Sequence, residues 1–380
     1  MISLQQTALH NQQLALGGRM VAFGNWSLPI HYGSQIKEHE AVRTQAGLFD
    51  VSHMQIIDVI GKDALPFLQW TLANDVAKLN TSGCALYSCL LNEAGGIIDD
   101  LIVYHFDEQN YRLVVNAGSA AEDYKWLQKA KADKLFDMEI KLVNNKAILA
   151  LQGPKARIKL TTVLGNLQSI DRPNKSGVNK PLLELPPFNA AYYETTHYGK
   201  IMVAATGYTG ENGYEIIIDN QYASALWQAL IDCEVQPCGL GARDSLRIEA
   251  GMNLYGQDMD ANILPFDCGL NWTISLKNER PFIGRDALQS RKQQYQFYGL
   301  LAQDGLGILR AGQMVTTAFG AGTITSGIYS PTIKRPIAFA RLPLAISLGD
   351  QAEVIVRNQL IKANVVRQAF VRYGKSLCSV

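Results

Sequence analysis

Residues 92–104 hold the feature that most restricts this chain: a small-residue turn running into an apolar strand that carries two adjacent aspartates, Asp99 and Asp100. Gly95-Gly96 precede Ile97-Ile98-Asp99-Asp100-Leu101-Ile102-Val103-Tyr104. Successive strand residues point to opposite faces. Asp100 therefore shares a face with Ile98, Ile102 and Tyr104, and Asp99 shares the other with Ile97, Leu101 and Val103. Aspartate is depleted in strands, and an unpaired buried carboxylate is costly. Both faces are otherwise apolar, so neither carboxylate reads as an ordinary solvent-facing group. Two readings stand: one carboxylate serves chemistry, or Gly95-Gly96 closes a hairpin and both aspartates merely satisfy loop amides at the strand end.

The rest of the chain alternates short helices and strands. Helical signals fall at 3–16, 64–74, 122–131, 222–232 and 242–250, and strand-like runs at 55–60, 85–91, 97–106, 111–115, 147–151, 201–205 and 214–218. Short turns such as Glu211-Asn212-Gly213 suggest antiparallel hairpins. An α+β architecture follows, in preference to a doubly wound parallel sheet. After about residue 275 the long helical patterns stop and short apolar runs alternate with Gly and Pro, which predicts an all-β C-terminal domain with strands at 351–356 and 359–366. The stretch 171–187, with four prolines, reads as an exposed loop.

Length and composition exclude several classes. A chain of 380 residues, 47% hydrophobic, suggests two or three domains with ample core. The 35 basic and 34 acidic residues leave a net charge of +1, so no global field favours nucleic acid or an anionic membrane. No apolar run approaches the ~18–20 residues of a membrane span, and the start, Met1-Ile2-Ser3-Leu4-Gln5-Gln6, lacks the basic and apolar regions of a secretory signal. The expectation is a cytoplasmic protein. Its six cysteines lack CxxC spacing and its six histidines are dispersed, so reduced, packed thiols and no metal are expected. There is no GxGxxG fingerprint, no GxxxxGK[ST] phosphate loop and no GxSxG elbow, which argues against nucleotide oxidoreductases, P-loop NTPases and α/β-hydrolases.

Three polar clusters remain. Tyr87, Asp100, Tyr104 and Asn116 are spread over three neighbouring strand segments. In Thr206-Gly207-Tyr208-Thr209-Gly210-Glu211-Asn212-Gly213-Tyr214-Glu215, three glycines let backbone approach a ligand. Glu215, at the edge of an apolar strand, suits two adjacent N–H donors such as those of an aminopyrimidinone; the alternative is a hairpin with Glu215 on its solvated face. Gly241-Ala242-Arg243 opens a helix with a cation in the first turn, where the macrodipole disfavours it. Arg243 either pairs with Asp244 or Glu249 or meets an anionic ligand.

Together these clusters resemble the glycine cleavage system T-protein family, the tetrahydrofolate-dependent aminomethyltransferases. Phe49-Asp50-Val51-Ser52-His53-Met54, Ala85-Leu86-Tyr87-Ser88, residues 92–104, Leu151-Gln152-Gly153-Pro154, 206–215, 239–249, Leu254-Tyr255-Gly256-Gln257-Asp258-Met259 and Phe370-Val371-Arg372 match in the family's order over essentially the whole chain. The resemblance implies that Asp100 is the catalytic carboxylate and that Tyr87, Tyr104 and Asn116 line the folate cavity. It places Glu215 on the pterin with Tyr208 beside it, and Arg243 and Arg372 near the benzoyl-glutamate end. An aromatic that some members carry near the pterin falls on Met252 here.

The implied fold is a three-domain cloverleaf around a central channel. Its first domain is discontinuous (1–50 plus 145–275), the second (51–144) is inserted in it, and the third (276–380) is a C-terminal β-barrel. The implied reaction moves a one-carbon unit from the aminomethyl-lipoyl arm of a carrier (H) protein to tetrahydrofolate as co-substrate. It needs no metal or nucleotide, and involves neither nucleic acid nor membrane. A folate-binding relative without transferase activity, of the iron–sulfur assembly type, is the alternative; the Cys-containing motif of those proteins is absent. The folate domains of sarcosine and dimethylglycine oxidases come with a flavin-binding Rossmann domain, which is also absent.

Overall fold

The computed structural model describes residues 4–170, 180–304, 307–357 and 359–378. The chain divides into two compact units. One holds the residues up to Ser88, Asp100–Gly207 and Glu211–Ala242; the other holds Cys89–Asp99, Tyr208–Gly210 and the chain from Arg243 onward. No helix among the described residues is long and apolar enough to cross a membrane.

The first unit holds most of two sheets. One has five strands in the order Ala85–Leu91, Ile97–Asp107, Asn110–Val115, Gln55–Ile60, Glu139–Val143. The turn between its second and third strands is closed by Asp107, whose carboxylate accepts from Gln109 N (2.9 Å) and Asn110 Nδ2 (2.6 Å), the local bonding that makes Asp and Asn turn formers. The other sheet has six strands in the order Ala190–Thr195, Gly199–Ala204, Gly213–Asp219, Lys146–Gln152, Gly47–Asp50, Gln236–Pro237, antiparallel except for the last pair.

Strand Gly213–Asp219 turns Tyr214, Ile216 and Ile218 into a core shared with helix Asn220–Asp232. That helix contributes Ala223, Leu226, Trp227 and Leu230, the i, i+3, i+4, i+7 stripe of an amphipathic helix. Alternation then leaves Glu215 and Ile217 on the opposite face of the strand. Tyr214 and Ile216 thus fix the direction of the Glu215 side chain.

The second unit contains a closed barrel in the order Gln296–Ala302, Arg335–Leu342, Gly320–Ser330, Met314–Thr317, Gln351–Val356, Gln359–Val366. Leu300, Val315, Ile324, Ala340, Val354 and Val365 fill its interior. A register shift between Ile324 and Ser326 is functional in packing. Neighbouring strand residues normally point apart, but at this bulge Thr325 Oγ1 and Ser326 Oγ both donate to one oxygen of Asp258, at 2.5 and 2.7 Å.

The α+β class and the all-β C-terminal segment agree with the sequence reading; several local expectations do not. Among the described residues of the helix expected at 3–16, only His10–Ala15 is helical, because Gln5 bridges to Trp26 instead. The helix Arg285–Ser290 interrupts the segment expected to be all β. Of the loop expected at 171–187, residues 171–179 lie outside the described residues, and the remainder is not simply exposed, since Leu182 and Leu185 are buried in the core. The turn Glu211-Asn212-Gly213 is the end of a longer connection, 205–212, between two antiparallel strands.

Candidate active site

Burial along strand Ile97–Asp107 follows the expected two-residue period at its start. Ile97, Asp99 and Leu101 are buried, while Ile98, Asp100 and Ile102 are partly open. Asp99 is 0% exposed. Asp100 receives a donor on each carboxylate oxygen: the Tyr87 hydroxyl at 2.8 Å on Oδ2 and Asn116 Nδ2 at 2.9 Å on Oδ1. Asn116 Nδ2 also lies 3.2 Å from the Asp100 carbonyl. Tyr87 and Asp100 lie on adjacent strands of the five-stranded sheet, and Asn116 immediately follows the third, Asn110–Val115, rather than lying on it. Asn74 holds the Tyr87 end in place, its Nδ2 donating to the Tyr87 carbonyl at 2.9 Å and its backbone N–H to Ser88 Oγ at 3.0 Å.

Tyr104 is buried and does not touch that trio through any contact recorded for it; it belongs to a second chain of hydrogen bonds. The Thr206 hydroxyl donates to Glu215 Oε2 at 2.5 Å and lies 3.2 Å from the Tyr104 hydroxyl. A hydroxyl has one proton, so with Thr206 donating to Glu215, Tyr104 donates to Thr206. Burial, and then the nearby Glu215 charge, push the Tyr104 phenol far above its ordinary range, which keeps it a donor. Glu215 is half-buried, and its Oε2 is held by Thr206.

The loop before Glu215 is pinned by Gln152, whose Nε2 donates to the Thr206 carbonyl at 3.1 Å. A Cβ on Gly207 would stand 2.0 Å from Gln152 Oε1, so a larger residue there would displace the Gln152 amide. Arg43 and Glu211, with side chains 5% and 3% exposed, close the same loop at 2.6 Å.

In the second unit, the Arg243 guanidinium lies over the Tyr208 ring, 4.6 Å from its centroid, a cation–π arrangement. The Tyr208 hydroxyl donates to the Asn253 carbonyl. Of the two ion-pair partners considered for Arg243, Asp244 bonds Arg247 Nε at 2.9 Å and Glu249 accepts from Thr332 and Ser330. Arg372 lies on the short strand Val371–Arg372. The backbone on either side of it is tied to this neighbourhood, Phe370 N to the Glu249 carbonyl (2.8 Å) and Tyr373 N to the Gly210 carbonyl (3.1 Å).

Comparison with known proteins decides the family. The GCVT N-terminal domain model matches residues 9–278, and the glycine cleavage T-protein C-terminal barrel domain model matches 296–372. Aminomethyltransferases of Burkholderia mallei and Cupriavidus necator are each 48% identical over 100% of both chains. The chain belongs to the glycine cleavage T-protein family. A solved structure of glycine cleavage system aminomethyltransferase T from Bartonella henselae has a TM-score of 0.86 at 34% identity, covering 98% of this chain and 100% of that one. The α+β fold with its six-stranded barrel is the T-protein fold, and the activity is that of an aminomethyltransferase.

Within this T-protein fold, the sequence reading missed Thr206 as the link between Tyr104 and Glu215, Gln152 as the clamp on the glycine loop, and Asn74 behind Tyr87. Thr206 and Gln152 do lie inside segments that the sequence singled out. Nothing in the spacing tied either to its partner.

Proposed function

We propose that this aminomethyltransferase transfers the one-carbon unit of an aminomethyl-lipoyl carrier (H) protein to tetrahydrofolate. The products are 5,10-methylenetetrahydrofolate, ammonia and the dihydrolipoyl arm. Bonds from the transferred carbon to nitrogen and sulfur break, and two bonds to folate nitrogens form. The two protons leaving those nitrogens balance the ammonia and the thiol.

The observation that carries the reading is the Asp100 carboxylate held by Tyr87 and Asn116. Two donors fix its rotamer and present it as a proton acceptor to the attacking folate nitrogen, for which a positioned acid–base group contributes typically ~10²–10⁴-fold. Glu215 Oε1, backed by Thr206 and Tyr104, is the acceptor for paired pterin N–H groups. Tyr208 lies beside the pterin, and Arg243 and Arg372 meet the benzoyl-glutamate end. The three-domain division at 1–50 plus 145–275, 51–144 and 276–380 belongs to the same proposal; the gap between the two family matches, 278 to 296, supports its last boundary alone.

The test is to mix purified protein with tetrahydrofolate and aminomethylated carrier protein, following methylenetetrahydrofolate and ammonia together. Equal yields of both are expected. Folate binding without ammonia release would overturn the proposal in favour of a folate-binding protein that performs no transfer.

A further inference from the structure

Beyond Tyr104, the two sheets of the first unit border a half-open cavity of about 370 Å³ that none of the residues assigned above to the folate site or to Asp100 lines. Its position follows from strand register. Tyr104 lies opposite Arg112, and Arg112 opposite Asp58, so the three form one row across the five-stranded sheet. Arg112 and Asp58 line the cavity, and Phe106, two residues beyond Tyr104, lines it too. The facing six-stranded sheet contributes Tyr192, Lys200 and Met202 among others. A volume of this size is in the usual range for a small-molecule site, roughly 300–1,000 Å³.

The wall chemistry specifies an anion with a flat apolar body. Arg112 is buried, and its Nε and Nη2 hold the Asp58 carboxylate at 2.7 and 2.9 Å. Its Nη1, by contrast, has only the thioether of Met202 at 3.6 Å, a weak acceptor. A buried guanidinium edge facing sulfur and open space lacks the oxygen acceptor it is built for. Lys200 places its ammonium 4.4 Å above the Tyr192 ring and forms no ion pair with a described carboxylate.

The other charges on the wall are already matched. Lys146 pairs with Asp219 at 2.9 Å, and Asp107, at the exposed lip, is occupied by its own turn. Phe106 and Tyr192, with centroids 5.0 Å apart, supply an aromatic surface beside the two cations.

We propose that this inter-sheet cavity is a second ligand site, for a small aromatic monocarboxylate. Its carboxylate meets Arg112 Nη1 and Lys200, and its ring lies against Phe106 and Tyr192. The inference does not depend on the proposed reaction, since no residue of the candidate active site enters it.

Benzoate is the probe, titrated by calorimetry into the full-length protein with and without saturating tetrahydrofolate. Saturable one-to-one binding that persists with folate present is expected, and the uncharged benzamide should bind about tenfold more weakly or worse, having lost a charge-assisted hydrogen bond. Lys200 is exposed, so Lys200→Met will fold; it should weaken benzoate about three- to fivefold, the scale of a partly exposed charge. Met202→Phe, which fills the cavity, should abolish binding. Three outcomes overturn the site: no saturable binding, displacement of benzoate by tetrahydrofolate, or affinity indifferent to Lys200→Met.

Discussion

Asp99 and Asp100 are separated by one peptide unit, yet one carboxylate is fully buried and the other is presented by two side-chain donors on a partly open face. Asp100→Asn is nearly isosteric, keeps the strand intact and removes the group able to take a proton. Transfer should fall by ~2–4 orders of magnitude with folate affinity broadly retained. Asp99→Asn should instead lower stability, by about 1–3 kcal/mol, because it disturbs a buried group's hydrogen bonding. Circular dichroism melts and methylenetetrahydrofolate formation on both variants check this. An inactive Asp99→Asn beside a normally active Asp100→Asn would reverse the assignment.

Glu215 yields a second expectation at this scale. Glu215→Ala strips the acceptor from ring N–H groups and should weaken folate binding by about 2–3 kcal/mol; unchanged calorimetric affinity would remove it from the pterin. The aspartate faces could be read from sequence because strand alternation is a local rule. Thr206 could not, because its partner Tyr104 lies on a distant strand and a lone threonine has no spacing signature.

Elements are held in place by buried polar anchors as much as by apolar stripes. Helix Leu240–Ala250, which carries Arg243, is anchored by Arg247. The guanidinium is 1% exposed and bonds Asp258 Oδ2 at 2.7 Å, Ser326 Oγ at 2.9 Å and Asp244 Oδ1 at 2.9 Å. The bulge beside Ser326 brings two hydroxyls to the same Asp258. Arg247→Ala leaves that carboxylate buried without its counter-charge, so about 3–5 kcal/mol of stability should be lost. Urea unfolding measures it, and a loss under 1 kcal/mol would show that the network is not an anchor.

The helix itself was legible, since Ala242, Leu246 and Ala250 repeat at helical spacing and all are buried. Its anchor was not, because a bulge leaves no mark in residue type. The overestimated first helix shows the converse: helical propensity at 3–16 gave way where Gln5 found a strand partner in Trp26.

At the scale of the molecule, the division into two units falls between Asp99 and Asp100, inside one strand. The composition change near residue 275 revealed an all-β C-terminal segment, because Gly- and Pro-punctuated short runs cannot sustain a helical period; its closure into a barrel came from the family resemblance. It did not reveal that Tyr208–Gly210 is grouped with the C-terminal unit, since the bond from Tyr373 N to the Gly210 carbonyl joins backbone groups that any residue carries. Through this bond and the one from Phe370 N to the Glu249 carbonyl, the end of the chain brings Arg372 to the neighbourhood of the Tyr208–Arg243 pair.

A guanidinium there can grip a carboxylate bidentately, but the glutamate end of a folate is remote from the nitrogens that react. Arg372→Ala should therefore raise the KM for tetrahydrofolate with little change in kcat, the signature of binding lost equally from ground and transition states. Because Arg372 occupies a two-residue strand whose ladder is made by backbone, the substitution should leave the melting temperature nearly unchanged. Steady-state kinetics over a folate series with and without the glutamate moiety separates the possibilities. Truncating the ligand should cost the wild type what the mutation costs, and should cost the variant almost nothing further. A hundredfold fall in kcat at saturating folate would instead assign Arg372 to the chemical step.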